Sequence, residues 1–127
     1  MNINELTGKV IGAAIEVHKA LGPGLLESVY EACLCRELDL RGVAYERQKP
    51  LPVRYKGLEL DCGYRMDVLV EQVLLLELKA SESIEPIHKA QILTYLKMAT
   101  LQIGLIINFN IEVLKDGIVR IVNNLVM

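Results

Sequence analysis

This chain has little of what marks several common roles. It carries two histidines, His18 and His88, and three cysteines, Cys33, Cys35 and Cys62. Their spacing matches no zinc site, and an odd number of cysteines makes a poor disulfide framework. Unpaired cysteine behaves as a small apolar side chain, so buried free thiols are expected. No apolar run approaches the roughly 20 residues that a membrane-spanning helix needs. The first residues, Met1-Asn2-Ile3-Asn4-Glu5, lack the basic and apolar regions of a signal peptide. The expectation is a soluble, cytoplasmic protein with no membrane partner. An excess of positive charge is also missing. The formal net charge is -2, which is not the global footprint of a nucleic-acid binder. Internal repeats and low-complexity segments are absent as well.

What remains is a chain of 127 residues, 52% apolar. That argues against disorder and suffices for one domain, 1–127, with a real core. Charge is uneven within it. From Arg41 to Lys56 there are five cations and one acid, Glu46, for a local net charge of +4. An edge strand guarded by cations explains this. A phosphate-contacting patch is the alternative.

The element pattern is mixed. Asn4 is a plausible N-cap for a first helix, in which Val10, Ala13, Ala14, Val17 and Leu21 recur at helical spacing. Gly22-Pro23-Gly24 ends it. A second helix is expected from about Leu25 to Leu40, closed by Gly42. From Val43 onward the pattern is that of strands. Pro50 and Pro52 indicate an edge position, and Lys56-Gly57 reads as a tight turn. Leu58 to Val70 alternates apolar and polar residues as one period-two strand would. Val73 to Ala80 is apolar on both faces, as in a central strand. Ser83 to Glu85 cap a third helix with Pro86 in its first turn. Gln102 to Asn110 is another buried strand, and Asp116-Gly117 reads as a hairpin turn leading into Ile118 to Val122.

Three charges stand out in the two central strands. Asp67 lies in Gly63–Val70, and Glu77 and Lys79 lie in Val73–Ala80. An unpaired buried charge costs about several kcal/mol. A metal ion bridging Asp67 and Glu77, with Lys79 beside it, would offset that cost and make a catalytic site. Two carboxylates suit a hard ion such as Mg²⁺, which takes oxygen ligands. The ion polarises a phosphoryl oxygen and acidifies a water. Lys79 would orient that water or stabilise transition-state charge. The competing explanation is a buried Glu77–Lys79 or Asp67–Lys79 ion pair without metal. The metal arrangement demands a register. Glu77 and Lys79 share a face with Leu75, and Asp67 must join them. Placing Asp67 across from Glu77 pairs Val70 with Leu74 and leaves Glu71-Gln72-Val73 as a three-residue loop. A two-residue loop would put the carboxylates on opposite faces.

Other residues bear on the same site. Glu27 and Glu31 lie one turn apart on the second helix, and like charges there repel. The helix dipole explains Glu27 in the first turn but not Glu31. Either could be a third carboxylate for the metal, and a solvated helix start is the alternative. His18 is expected to cap its helix C-terminus as a cation, with a place in the site as the other option. His88 and Lys89 are expected on a solvated face, with phosphate contact as the other option. Gln91 and Tyr95, four apart, share a face of the third helix.

These motifs carry a family resemblance over nearly the whole chain. Gly24-Leu25-Leu26-Glu27-Ser28-Val29-Tyr30 resembles the signature of the GxxExxY family, grouped with the PD-(D/E)XK nuclease superfamily. Asp67 with Glu77-Leu78-Lys79 is similar to that superfamily's metal-binding and catalytic motif. Met66 stands where the superfamily name has proline. Gln91-Ile92-Leu93-Thr94-Tyr95 resembles the QxxxY motif of RecB-type nucleases. The resemblance implies an α/β fold with a restriction-endonuclease-like core, αβββαβ. Its mixed sheet would contain a three-strand antiparallel meander with flanking helices. It further implies a Mg²⁺- or Mn²⁺-dependent nuclease acting on DNA or RNA. Asp67, Glu77 and Glu27 would bind metal, with Asp67, Glu77 and Lys79 catalytic. Gln91 and Tyr95 would orient Lys79 or contact substrate. The other reading is a noncatalytic nucleic-acid- or protein-binding module that reuses the nuclease fold; a homodimer is left open.

Overall fold

The structure is a computed structural model and describes residues 1–124. Helix α1, Ile3–Leu21, and helix α2, Glu27–Leu40, open the chain. Strand β1, Tyr45–Pro50, follows, and then a short hairpin of β2, Val53–Tyr55, and β3, Leu58–Leu60. Strands β4, Arg65–Val70, and β5, Leu74–Lys79, lead to helix α3, Pro86–Ala99. Strand β6, Ile103–Asn108, a one-turn 3-10 helix, Leu114–Gly117, and strand β7, Ile118–Val122, complete it. The main sheet has the order β1-β4-β5-β6-β7, and β2 with β3 forms a separate two-stranded sheet. Strands β1, β4 and β5 make an antiparallel meander, and β6 runs parallel to β5 after the α3 crossover. This is the mixed α/β, restriction-endonuclease-like architecture that the motifs imply.

Alternation within the strands builds two cores. On one face Val68, Val70, Leu74, Leu76, Leu78, Leu105 and Ile107 pack against α1 and α2. On the other, Leu69, Leu75 and Ile106 meet Ile92, Tyr95 and Leu96 of α3. Close approach of α3 depends on Gly104 of β6. A Cβ there would fall 2.8 Å from Ile92 Cδ1 and 3.2 Å from the Leu75 carbonyl oxygen. Helix α2 ends in a Schellman motif around Gly42, whose φ is 69°. The Val43 N–H bonds the Leu38 carbonyl at 3.0 Å, and the Gly42 N–H bonds that of Asp39 at 3.1 Å. Among the described residues, no helix is long and apolar enough to cross a membrane.

Several local expectations are corrected. The N-cap of α1 is Asn2, which accepts from the Glu5 N–H at 2.9 Å, not Asn4. The expected strand Leu58–Val70 is broken. Asp61 accepts from the Gly63 N–H at 3.1 Å, a local turn that diverts the chain between β3 and β4. Alternation continues through this break because β3 is exposed on both faces and no core enforces it. The link between β6 and β7 is a 3-10 turn rather than a tight Asp116-Gly117 hairpin. Cys35 is buried and Cys33 half-buried, but Cys62 is exposed in the loop between β3 and β4. Burial pushes the Cys35 thiol up to about 11.

Candidate metal centre

The β4–β5 hairpin sets the site. Val68 pairs with Leu76, Leu69 with Leu75 and Val70 with Leu74. Continued by one step, that register puts Asp67 across from Glu77. The connection is the three-residue Glu71-Gln72-Val73 turn, with Glu71 and Gln72 at φ of 52° and 61°. Asp67, Glu77 and Lys79 therefore share the α3 face with Leu69 and Leu75, as the register demand requires.

At Asp67 the regular ladder gives way to side chains. The Asp67 backbone N–H donates to Glu77 Oε2 at 2.9 Å. The Leu78 backbone N–H donates to Asp67 Oδ2 at 2.9 Å. Each carboxylate thus crosses to the backbone of the opposite strand and uses one oxygen there. The remaining oxygens, Asp67 Oδ1 and Glu77 Oε1, make no hydrogen bond among the described residues. Neither is sealed from solvent, since no fully buried side-chain oxygen or nitrogen among those residues lacks a partner.

This closeness perturbs both acids. Burial, then the Asp67 charge, pushes the Glu77 carboxyl up to about 8, against the Asp67 N–H and the Lys79 ammonium. Burial also raises Asp67, and the charges of Glu31 and Glu27 add to it, against the Leu78 N–H and Lys79. Lys79 is half-buried and makes no ion pair among the described residues. It acts on both acids at longer range. The end of its strand is fastened by Asn108, paired with Lys79 across the β5–β6 ladder. Asn108 accepts from the Ser81 N–H at 3.2 Å and donates to the Ser81 carbonyl at 2.9 Å.

Helix α3 contributes Tyr95 and Gln91. Gln91 Nε2 donates to the Tyr95 hydroxyl at 3.4 Å. Burial raises the Tyr95 hydroxyl pKa, and the Glu77 and Asp67 charges add to it. The Tyr64 ring meets that of Tyr95 edge-on, with centroids 6.3 Å apart.

Helix α2 approaches from the other side. Tyr30 fixes its start. The Tyr30 hydroxyl donates to the Gly22 carbonyl at 2.6 Å and accepts from the Leu25 N–H at 3.1 Å. Its ring stacks on Phe109, with centroids 4.5 Å apart and planes 7° apart. The Gly22–Leu25 turn is thereby pinned just before Glu27, the first residue of α2. Glu27 itself is exposed, and of the two helix glutamates Glu31 acts more strongly on Asp67. Glu31, only 8% exposed, pairs with Arg47 at 3.0 Å and accepts from Gln48 Nε2 at 2.7 Å. Glu31 is a candidate in the sequence, but its partners are not legible there, because they lie 16 and 17 residues away on β1.

The histidines are structural. The His18 side chain bonds outside α1 rather than to its last carbonyls: Nε2 donates to the Ile111 carbonyl at 2.7 Å, tying α1 to the loop after β6. His88 Nδ1 accepts from the Glu85 backbone N–H at 3.0 Å, bracing the start of α3. Among the described residues, no three His, Cys, Asp or Glu side chains cluster closely enough to hold an ion by themselves. Asp67 and Glu77 are brought together, while Glu27 stands further off. Two unpartnered, partly desolvated carboxylate oxygens fit a hard divalent ion that keeps several waters. An apolar cavity of about 500 Å³ between Leu6, Val73, Leu101 and Ile103 lies at the other end of β5 and β6 and holds no carboxylate.

Residues 4–121 match the family model of the PD-(D/E)XK nuclease superfamily. Neither a curated protein nor a solved structure matches the chain.

Proposed function

The chain belongs to the PD-(D/E)XK nuclease superfamily, and on that premise we propose that it hydrolyses phosphodiester bonds of nucleic acid with Mg²⁺ or Mn²⁺. One observation carries the reading: the crossed Asp67–Glu77 pair leaves one oxygen of each acid unpartnered, with the Lys79 ammonium unpaired nearby. The resemblance of Gly24–Tyr30 to the GxxExxY signature and of Gln91–Tyr95 to the RecB-type motif supports it further.

Asp67 and Glu77 would hold the ion, with Glu27 completing its shell. The ion, when bound, supplies Lewis-acid polarisation of the scissile phosphate and a more acidic water. Before it arrives, Glu77 retains a proton near neutral pH, because its carboxyl is pushed up to about 8. Lys79 positions the attacking water and offsets charge that grows on the phosphoryl oxygens. Tyr95, held by Gln91, orients Lys79 or meets the substrate from the α3 face.

The test is cleavage of single-stranded, duplex and branched DNA and RNA with Mg²⁺ or Mn²⁺. Asp67→Ala should lose both metal binding and cleavage. Lys79→Ala should keep metal binding, since an ammonium is no ligand, and lose about 10²–10³ in rate, as expected for one positioned electrostatic group. If wild type cuts nothing, the noncatalytic binding module takes its place. If wild type and Lys79→Ala cut equally, the role of Lys79 is refuted.

A further inference from the structure

Edge strand β1 holds an irregularity that the proposed chemistry leaves unused. In the β1–β4 ladder Arg47 pairs with Val68 and Lys49 with Met66, so Gln48 sits across from Asp67. Gln48 has φ of 50°, in the left-handed region that long side chains rarely adopt. The ladder resumes at Lys49 with no residue inserted, so this is a kink and not a bulge.

Strand geometry explains what the kink achieves. Successive side chains alternate between faces. Val68 packs in the α1–α2 core, and Arg47 across from it points to that face and reaches Glu31. Regular alternation would send the Gln48 side chain to the α3 face, beside the Asp67 carboxylate. Instead its amide bonds Glu31 Oε1 at 2.7 Å, while Arg47 bonds Oε2 at 3.0 Å. Two consecutive strand residues converge on one buried carboxylate, and the left-handed backbone is what permits it. Such a conformation persists only where its surroundings over-determine it.

We propose that Glu31 is a positioning residue for Asp67. By gripping Arg47 and Gln48 together, it holds Gln48 left-handed and keeps that side chain off the α3 face. The Asp67 carboxylate is then free to bond the Leu78 N–H with one oxygen and to present the other. That the second oxygen meets an ion rests on the nuclease reading; the positioning itself needs no metal.

Amide exchange in the metal-free full-length chain, followed by NMR, tests this. The Leu78 N–H is held by Asp67 Oδ2, so its exchange rate reports the Asp67 orientation. Glu31→Ala should speed exchange at Leu78 by about tenfold, the scale of one lost hydrogen bond, with Leu105 of β6 unchanged. Adding Gln48→Gly to Glu31→Ala should restore the wild-type rate, because glycine adopts positive φ without being gripped. A Glu31 that merely braces α2 would not be rescued by glycine on β1. Gln48→Val keeps the Glu31–Arg47 pair but disfavours positive φ, and should reproduce the fast exchange even if Glu31→Ala does not fold. Unchanged Leu78 exchange in these variants, or no rescue by Gln48→Gly, overturns the proposal. Mn²⁺ calorimetry on wild type separates the two ideas. No uptake removes the nuclease reading, while the Leu78 rates still decide the positioning.

Discussion

Glu77→Gln should stabilise the metal-free protein, and the gain should grow with pH. In the folded chain the Glu77 carboxyl is raised from its ordinary 4.5 to about 8 by burial and by Asp67. Below pH 4.5 both folded and unfolded chains hold the proton, and the group contributes no difference. Between 4.5 and 8 the folded chain keeps a proton that the unfolded chain has released, so stability falls as pH rises. Above 8 the full cost is present. A rise of that size, at about 1.4 kcal/mol per pH unit, sets an upper bound of about 5 kcal/mol. Glu77 is only 8% exposed, so solvent screens this little, though the two acids titrate as a pair. Glutamine keeps an oxygen for the Asp67 N–H and removes the charge. In urea unfolding with a chelator present, the variant and wild type should be alike at pH 4. By pH 9 the variant should lead by several kcal/mol, roughly 10 °C in melting temperature. A gap that stays flat with pH, or a variant less stable at pH 9, would refute this account of the pair.

Divalent ions should relieve the same repulsion: millimolar Mn²⁺ should raise the wild-type melting temperature by mass action. Asp67→Asn should start higher without metal and show no response, and equal melting curves for both proteins with and without ion would count against the site. Tyr30→Phe removes the hydroxyl that bonds Gly22 and Leu25. It should lower stability by about 1–3 kcal/mol, and an unchanged urea midpoint would show that the turn before α2 holds without it. Gly104→Ala should destabilise by about 1–3 kcal/mol through the clash with Ile92 and the Leu75 carbonyl, read by the same midpoint.

Periodicity made much of this site legible. The parity of Leu75, Glu77 and Lys79, with the demand for an odd loop, fixed the Val70–Leu74 pairing seen in the hairpin. Pro50 and Pro52, with the cations in and around β1, marked it as an edge, which it is. Other features were hidden for physical reasons. Alternation reports which face a residue occupies, not whether the strand continues, so the break after Leu60 was invisible. Local pattern is also silent about partners far along the chain. His18 finds Ile111 93 residues away, and a histidine in a last helical turn looks like a cap until that carbonyl is in view. Gln48 has the most ordinary of strand neighbours in sequence, and its left-handed backbone follows from Glu31 on another element.

The crossed hydrogen bonds of Asp67 and Glu77 have a consequence for descent. Each acid also serves as a fastener between two strands, and asparagine or glutamine offers an oxygen in the same place. Exchanging both acids for their amides would erase the charge and leave the hairpin joined. A lineage on this scaffold can therefore shed the charged pair in two small steps, with every ancestor still folded. Selection for recognition alone can then reshape what is left.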